Sequence, residues 1–332
     1  MTRMKKISKY KNLTVSIYHG YGHTHDLIVF GHVLKKRVAI RKHYSRNVLL
    51  NFIHLVRLFI VKPVGGVQVQ LEWRGQVFKA TTEDDGFFKF EWQSETEVEA
   101  GWHQVIIKCI GQDEKTLATG TGEIYIPHST QYGFISDIDD TVLVSHSANT
   151  RKKLYLLFTK NPQTRKTFSE VIQNYQLLSQ AHTTQAVPNP FFYISNSEWN
   201  LYNDLDDFFY YNRLPKGTFL LNHLKRWHQL FKTGDAEGDT KLRRAIRVLN
   251  TFPKQLFVLL GDNSQKDPGI YASLVGLYPE RIFAVYIRNI DTKNETNTQE
   301  ILAGMGALGV HTCFFSENTE AIQHARKIQL IS

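Results

Sequence analysis

Between Leu27 and Ile126 apolar and polar side chains alternate in short runs. GVQVQLEW (66–73) and GQVFKATT (75–82) put every second residue on an apolar side, the period of a strand with one covered face. LIVFGHVL (27–34), FFKFEW after the Asp85-Gly86 turn, WHQVIIKCI (102–110) and GTGEIYIP (120–127) have the same character. Several short strands at this spacing predict a small β-sandwich. One stretch breaks the alternation: Leu49, Phe52, Ile53, Val56 and Phe59/Ile60 recur at helical spacing, which predicts a helix over 45–61.

After Pro127 the rhythm changes. GFISDIDD (133–140), FFYIS (191–195), TFLL (218–221), QLFVLLGD (255–262) and RIFAVYI (281–287) are continuous apolar runs. Helix-like stretches separate them: roughly 149–180, EWNLYNDLDDFFYYN and GDTKLRRAIRVLNTF. Apolar strands alternating with helices predict a parallel sheet covered on both faces. The pattern therefore divides the chain into a β-sandwich-like accessory domain with a basic leading segment, 1–130, and an α/β domain, 131–332. The break falls in PHSTQY.

A length of 332 residues agrees with two domains. Cys109 and Cys313 lie in apolar strands and read as small core residues, which fits a reducing, cytoplasmic setting. The formal net charge of +9 is regional: residues 1–64 hold 13 Lys and Arg against one acid, Asp26, while 65–332 hold 27 against 30 acids. Such asymmetry points to a basic face for phosphates, nucleic acid or an anionic membrane. Gly and polar residues break any signal-peptide core near the start. The longest apolar stretch, 48–61, is interrupted by Asn51, His54 and Arg57 and is too short to span a bilayer. It could instead lie on a membrane surface, with Arg41, Lys42, Arg46, Arg57 and Lys62 around it, or pack on the sandwich.

In open α/β sheets ligands bind beyond the carboxyl ends of the strands, and those ends are chemically loaded here. The first apolar run ends in Asp137-Ile138-Asp139-Asp140-Thr141. Asp137 and Asp139, two apart on an extended strand, emerge on one side. Carboxylates so placed repel unless a cation lies between them, and Mg²⁺ suits an oxygen-rich site. Ser195-Asn196 offers a hydroxyl and a backbone amide at a strand-to-helix junction. Gly261-Asp262 with Asp267 adds carboxylates, and Lys241, near a helix start, adds positive charge. Arg288, just past another strand, either faces this edge or forms a surface ion pair. His23-Thr24-His25 reads as a polar turn.

SDIDDT, YISNS, Lys241 and GDNSQKD together resemble the motifs of the haloacid dehalogenase (HAD) superfamily. SDIDDTVLVSHS, FFYISNSEWNLY, LPKGTFLL, FPKQLFVLLGDNSQKDPGIY and PERIFAVYIRNI are similar to the lipin-like catalytic domain of the actin-patch phosphatidate phosphatase family, over about 131–290. The resemblance implies a HAD-like, Rossmannoid α/β catalytic domain with an N-terminal β-sandwich. It implies Asp137 as nucleophile and Mg²⁺ ligand, Asp139 as acid, base and backbone ligand, and Thr141 as support for that loop. Ser195, Asn196 and Lys241 would bind the phosphoryl group, Asp262 would ligate the metal, and Asp267 would sit in or near its shell. Thr240 replaces a frequent His before the lysine, and Lys232 lies nearby. The implied reaction is Mg²⁺-dependent hydrolysis of phosphatidate through an aspartyl-phosphate. A soluble phosphomonoester or a phosphoprotein is the alternative substrate, and an inert binding protein the alternative class. The basic segment 1–64 carries no nucleic-acid-binding motif, so an anionic bilayer is its expected partner and nucleic acid is not.

Overall fold

The computed structural model describes residues 12–35, 61–138, 168–222 and 237–332. They fall into two units, one drawn from 12–35 and 61–127, the other from 128–138, 168–222 and 237–332. The expected helix at 45–61, Asp139, Thr141 and Lys232 lie outside the described residues.

In the first unit, β1 (Thr14–Gly22), β2 (Asp26–Leu34), β3 (Gln68–Trp73), β4 (Gln76–Thr81), β5 (Phe87–Gln93), β6 (Gly101–Ile110) and β7 (Thr116–Ile126) form one sheet. Its order is β4-β3-β6-β7-β1-β2-β5. A sandwich needs two separate ladders. Here β1 pairs antiparallel with β2 and parallel with β7, and so joins the strands into a single ladder. The two edge strands meet through side chains: Phe78 and Trp92 lie 5.7 Å apart, and the Gln76 amide donates to Gln93 O at 3.3 Å. The sheet thus curls around one core that includes Val29, Val69, Leu71, Phe88, Trp92 and Ile107. Alternation along each strand supplies it.

β1 carries two glycines because its partner's backbone is very close. A Cβ on Gly20 would sit 2.2 Å from the Ile28 carbonyl oxygen, and one on Gly22 2.1 Å from that of Asp26. These glycines hide the strand from a pattern search. His23, Thr24 and His25 make the β1–β2 turn, with His23 N donating to Asp26 O at 3.0 Å. At the Asp85-Gly86 turn Gly86 has φ +81°, a conformation that favours glycine.

The second unit holds six strands: β8 (Tyr132–Asp137), β9 (Phe191–Glu198), β10 (Thr218–Asn222), β11 (Leu256–Asp262), β12 (Ile282–Arg288) and β13 (His311–Phe315). All pairs are parallel, in the order β10-β9-β8-β11-β12-β13. The described helices are α1 (Phe168–Ser179), α2 (Tyr202–Tyr211), α3 (Glu237–Thr251), α4 (Asp267–Leu277), α5 (Glu295–Ala307) and α6 (Asn318–Lys327). On one face Phe191 and Tyr193 meet Tyr175 of α1 and Phe209 of α2. On the other, Phe192 meets Phe252 at the end of α3, and α3, α4 and α5 pack in succession. Helices on both faces explain why β8 and β11 are buried along nearly their whole length. The strand order reverses between β8 and β11. That reversal opens a crevice at their carboxyl ends, the place where α/β sheets bind ligands.

Cys109 and Cys313 are buried, and burial pushes their thiols up to about 11 and about 12, as befits inert core residues. Among the described residues no helix is long and apolar enough to cross a membrane.

Candidate active site

Asp137 closes β8, Asp262 closes β11, and Asp267 opens α4, so three carboxylates gather where the strand order reverses. Their relative exposures are 2%, 0% and 1%, and one oxygen from each lies within 4.8 Å of the others. Gly261 permits this approach: a Cβ there would meet Tyr271 Cε2 at 2.8 Å and Asp267 Oδ2 at 2.9 Å. Pro268 preorganises the first turn of α4, and the helix N-terminus favours the Asp267 charge.

Lys241, in the second turn of α3, reaches this cluster. Its Nζ donates to Asp137 Oδ1 at 2.7 Å, to Asp267 Oδ1 at 3.0 Å and to Gln265 Oε1 at 3.3 Å. Lys241 is therefore held at the carboxylates. Asp262 Oδ1 accepts from the Ser264 backbone N–H at 2.6 Å. Burial pushes Asp267 up to about 6; Lys241 pulls it down and the Asp137 charge adds to the rise.

One ammonium among three buried carboxylates leaves a formal surplus of negative charge, which burial makes costly. Asp137 Oδ2 and Asp267 Oδ2 are buried and have no hydrogen-bond partner among the described residues. An all-oxygen donor set with bare, buried carboxylate oxygens fits a hard divalent cation.

Ser195 and Asn196 lie at the end of β9, beside β8. Ser195 is fully buried and its Oγ accepts from Ser197 N at 2.9 Å, while Arg244 donates to its carbonyl oxygen at 3.2 Å. Asn196 extends to the cluster, its Nδ2 donating to Gln265 Oε1 at 3.5 Å. A cavity of about 340 Å³ is lined by Asn196, Lys241, Ser264, Gln265, Lys266 and Asp267. The structure thus brings together Asp137, Asp262, Asp267 and Lys241, with Asn196 at the rim and Ser195 buried in the strand-end turn.

Arg288 is the register partner of Asp262 on β12 and is 6% exposed, so it is not a surface ion pair. Its Nη1 has no hydrogen-bond partner among the described residues, and burial lowers its pKa against the pull of Glu317, Tyr175, Asp262 and Glu170. Three further residues were not singled out by the sequence reading. Ser136 Oγ donates to Asp137 O at 2.8 Å and pairs with Tyr175 OH at 2.7 Å, which steadies the end of β8. Asn263 Oδ1 accepts from Ile290 N and Asp291 N at 2.8 and 2.9 Å, tying the loop after β11 to the one after β12. Gln265 bridges Lys241 and Asn196. Asn263 and Gln265 stand inside GDNSQKD, where the acids draw attention first.

Residues 132–289 match the family described as phosphatidate phosphatase APP1, catalytic domain. An uncharacterised protein of Schizosaccharomyces pombe is 27% identical over 188 residues, 56% of this chain and 29% of that protein. Phosphatidate phosphatase APP1 of Saccharomyces cerevisiae is 30% identical over 158 residues, 47% of this chain and 25% of that protein. The chain spans less than a third of the length of these relatives. A solved structure, the PilB minor pilin from Streptococcus sanguinis, aligns over 87% of this chain and 97% of that one, at a TM-score of 0.33 and 9% identity. That likeness is too loose to bear on the fold. The matched segment runs from the start of β8 to just beyond β12 and holds every described residue of the carboxylate–lysine cluster.

Proposed function

We propose, from the premise that residues 132–289 belong to the catalytic-domain family of phosphatidate phosphatase APP1, that this chain is a Mg²⁺-dependent phosphatidate phosphatase with a HAD-type mechanism. The observation that carries the reading is the buried cluster of Asp137, Asp262, Asp267 and Lys241 at the reversal of strand order. Asp137, Asp262 and Asp267 would hold Mg²⁺. Bound there, the ion would neutralise charge on the phosphoryl oxygens.

Phosphoryl transfer asks a protein mainly for positioning and charge balance. Lys241 fixes Asp137 through Oδ1. An Asp137 oxygen attacks phosphorus, the bond to the glycerol oxygen breaks, and that oxygen takes a proton from Asp139. Water then attacks the phosphorus of the aspartyl-phosphate while Asp139 accepts its proton, which releases inorganic phosphate and regenerates Asp137. The acyl phosphate splits one hard displacement into two easier ones.

The space beside the cavity supports a bulky, partly apolar leaving group. A groove of about 560 Å³ shares Gln265, Lys266 and Ile270 with the cavity and continues past Leu242, Pro268 and Ile301. Phosphate release from phosphatidate in mixed micelles, with and without Mg²⁺, tests the reading against soluble phosphomonoesters and a phosphopeptide. Mg²⁺-dependent release from phosphatidate is expected. Release confined to the soluble esters or the phosphopeptide would contradict the lipid substrate while keeping the chemistry.

A further inference from the structure

We infer that Gln265 is a catalytic residue that donates a hydrogen bond to the phosphoryl group, an inference that rests on the proposed phosphatase reading. Three contacts lead to it. Lys241 Nζ donates to Asp137 Oδ1, Asp267 Oδ1 and Gln265 Oε1, the number of hydrogens an ammonium has. These contacts hold the lysine in the cluster, so a further donor at the cavity would strengthen the grip on an incoming oxyanion.

The orientation of the Gln265 amide follows from its neighbours. An ammonium has no lone pair, so the atom that faces Lys241 at 3.3 Å has to be the oxygen. Asn196 Nδ2 approaches the same oxygen from another side. The Nε2 end is therefore turned away from both, and its two N–H groups cannot exchange places with Oε1. Nε2 is buried and has no hydrogen-bond partner among the described residues. Buried donors in that state are rare in folded proteins, and Gln265 is one of the residues that line the cavity.

The chemistry of the cavity says which acceptor. Lys241 and Lys266 line it against one carboxylate, Asp267, so it suits an anion, and a neutral amide can add a donor without drawing Lys241 off the carboxylates. A phosphoryl group carries oxygens that accept, and their charge is spread further in the transition state. Donors preset at such oxygens hold the transition state more tightly than the ground state.

The test uses the full chain with Mg²⁺ and two substitutions. Gln265→Glu keeps an oxygen for Lys241 and loses the N–H donor; Gln265→Met keeps the volume and loses both. Phosphate-release kinetics and orthovanadate inhibition are measured, with thermal melting to confirm folding. In Gln265→Glu, kcat should fall about 10²-fold, the cost of one lost donor to a developing oxyanion, and vanadate should weaken by a similar factor. In Gln265→Met, which adds no charge beside Lys241 and Asp267, kcat should fall likewise and the Mg²⁺ concentration for half-activity should stay unchanged. Wild-type kcat and vanadate affinity in the Glu variant would overturn the inference. If that variant fails to fold, the same outcomes in Gln265→Met decide. A wild-type protein inactive on every phosphomonoester would remove the phosphatase reading instead. Calorimetric vanadate binding would then still judge Gln265, with equal affinity in wild type and variant overturning it.

Discussion

Asp267 is held by opposing influences: burial raises it to about 6, Lys241 lowers it, and Asp137 raises it again. In the metal-free protein the folded state therefore keeps a proton between 3.8 and about 6 that the unfolded chain gives up. Stability from this group is fully present below 3.8 and is lost as pH rises to about 6. Thermal melting of metal-free protein across that window should show the wild type losing ground against Asp267→Asn as pH rises. Parallel curves would refute the assignment. At Gly261 the restraint is steric. Gly261→Ala forces a Cβ against Asp267 and Tyr271. It should cost about 1–3 kcal/mol of stability, as overpacking does, and should weaken Mg²⁺ binding in a calorimetric titration. The acids and Lys241 could be found from sequence because charge at the end of an apolar strand is conspicuous. Gln265 and Tyr175 could not, because their meaning comes from which atoms they face across the fold.

Elements tell a similar story. The apolar runs that became β8, β9, β11 and β12 have no polar alternation to confuse them, since both faces of a parallel sheet are covered. α4 gave no amphipathic signal: DPGIYASLVGL is apolar around much of its surface, with Gly269 and Gly276 inside it. β1 was missed for its glycines, and the consequence reached the topology. Without β1 the remaining strands suggest two sheets, whereas with it they form one curled ladder. This makes Gly20 a test of the fold. Gly20→Ala places a Cβ against a backbone oxygen that cannot swing aside. It should destabilise the first unit by about 3 kcal/mol, the upper range for overpacking, read by denaturant unfolding. A neutral effect would mean that β1 and β2 are not paired in this register.

For the whole molecule, charge and strands share one segment. β1 and β2 lie within residues 1–64, so removing that segment to test membrane binding would take two of seven strands with it. Of the thirteen basic residues there, Lys35 and Lys62 are among those described. Neutralising Arg41, Lys42 and Arg46 to Gln keeps the residues of β1 and β2 unchanged and, with thermal melting to confirm folding, isolates the electrostatic contribution. At about 1 kcal/mol per basic residue on an anionic bilayer, the triple change should weaken binding to phosphatidylserine vesicles by about two orders of magnitude. Raising salt should reduce the difference. Equal, salt-insensitive binding by wild type and variant would contradict a docking role for the basic segment.

The central claim is that Asp137, set among Asp262, Asp267 and Lys241, performs Mg²⁺-dependent phosphoryl transfer. It is tested most directly by phosphate release from phosphatidate micelles by wild type and Asp137→Asn, each with Mg²⁺ and with chelator. The account predicts release by the wild type that chelator abolishes, and a rate lower by on the order of 10³-fold or more in a variant that still melts cooperatively. Release at the wild-type rate from Asp137→Asn, or release indifferent to chelator, would contradict it.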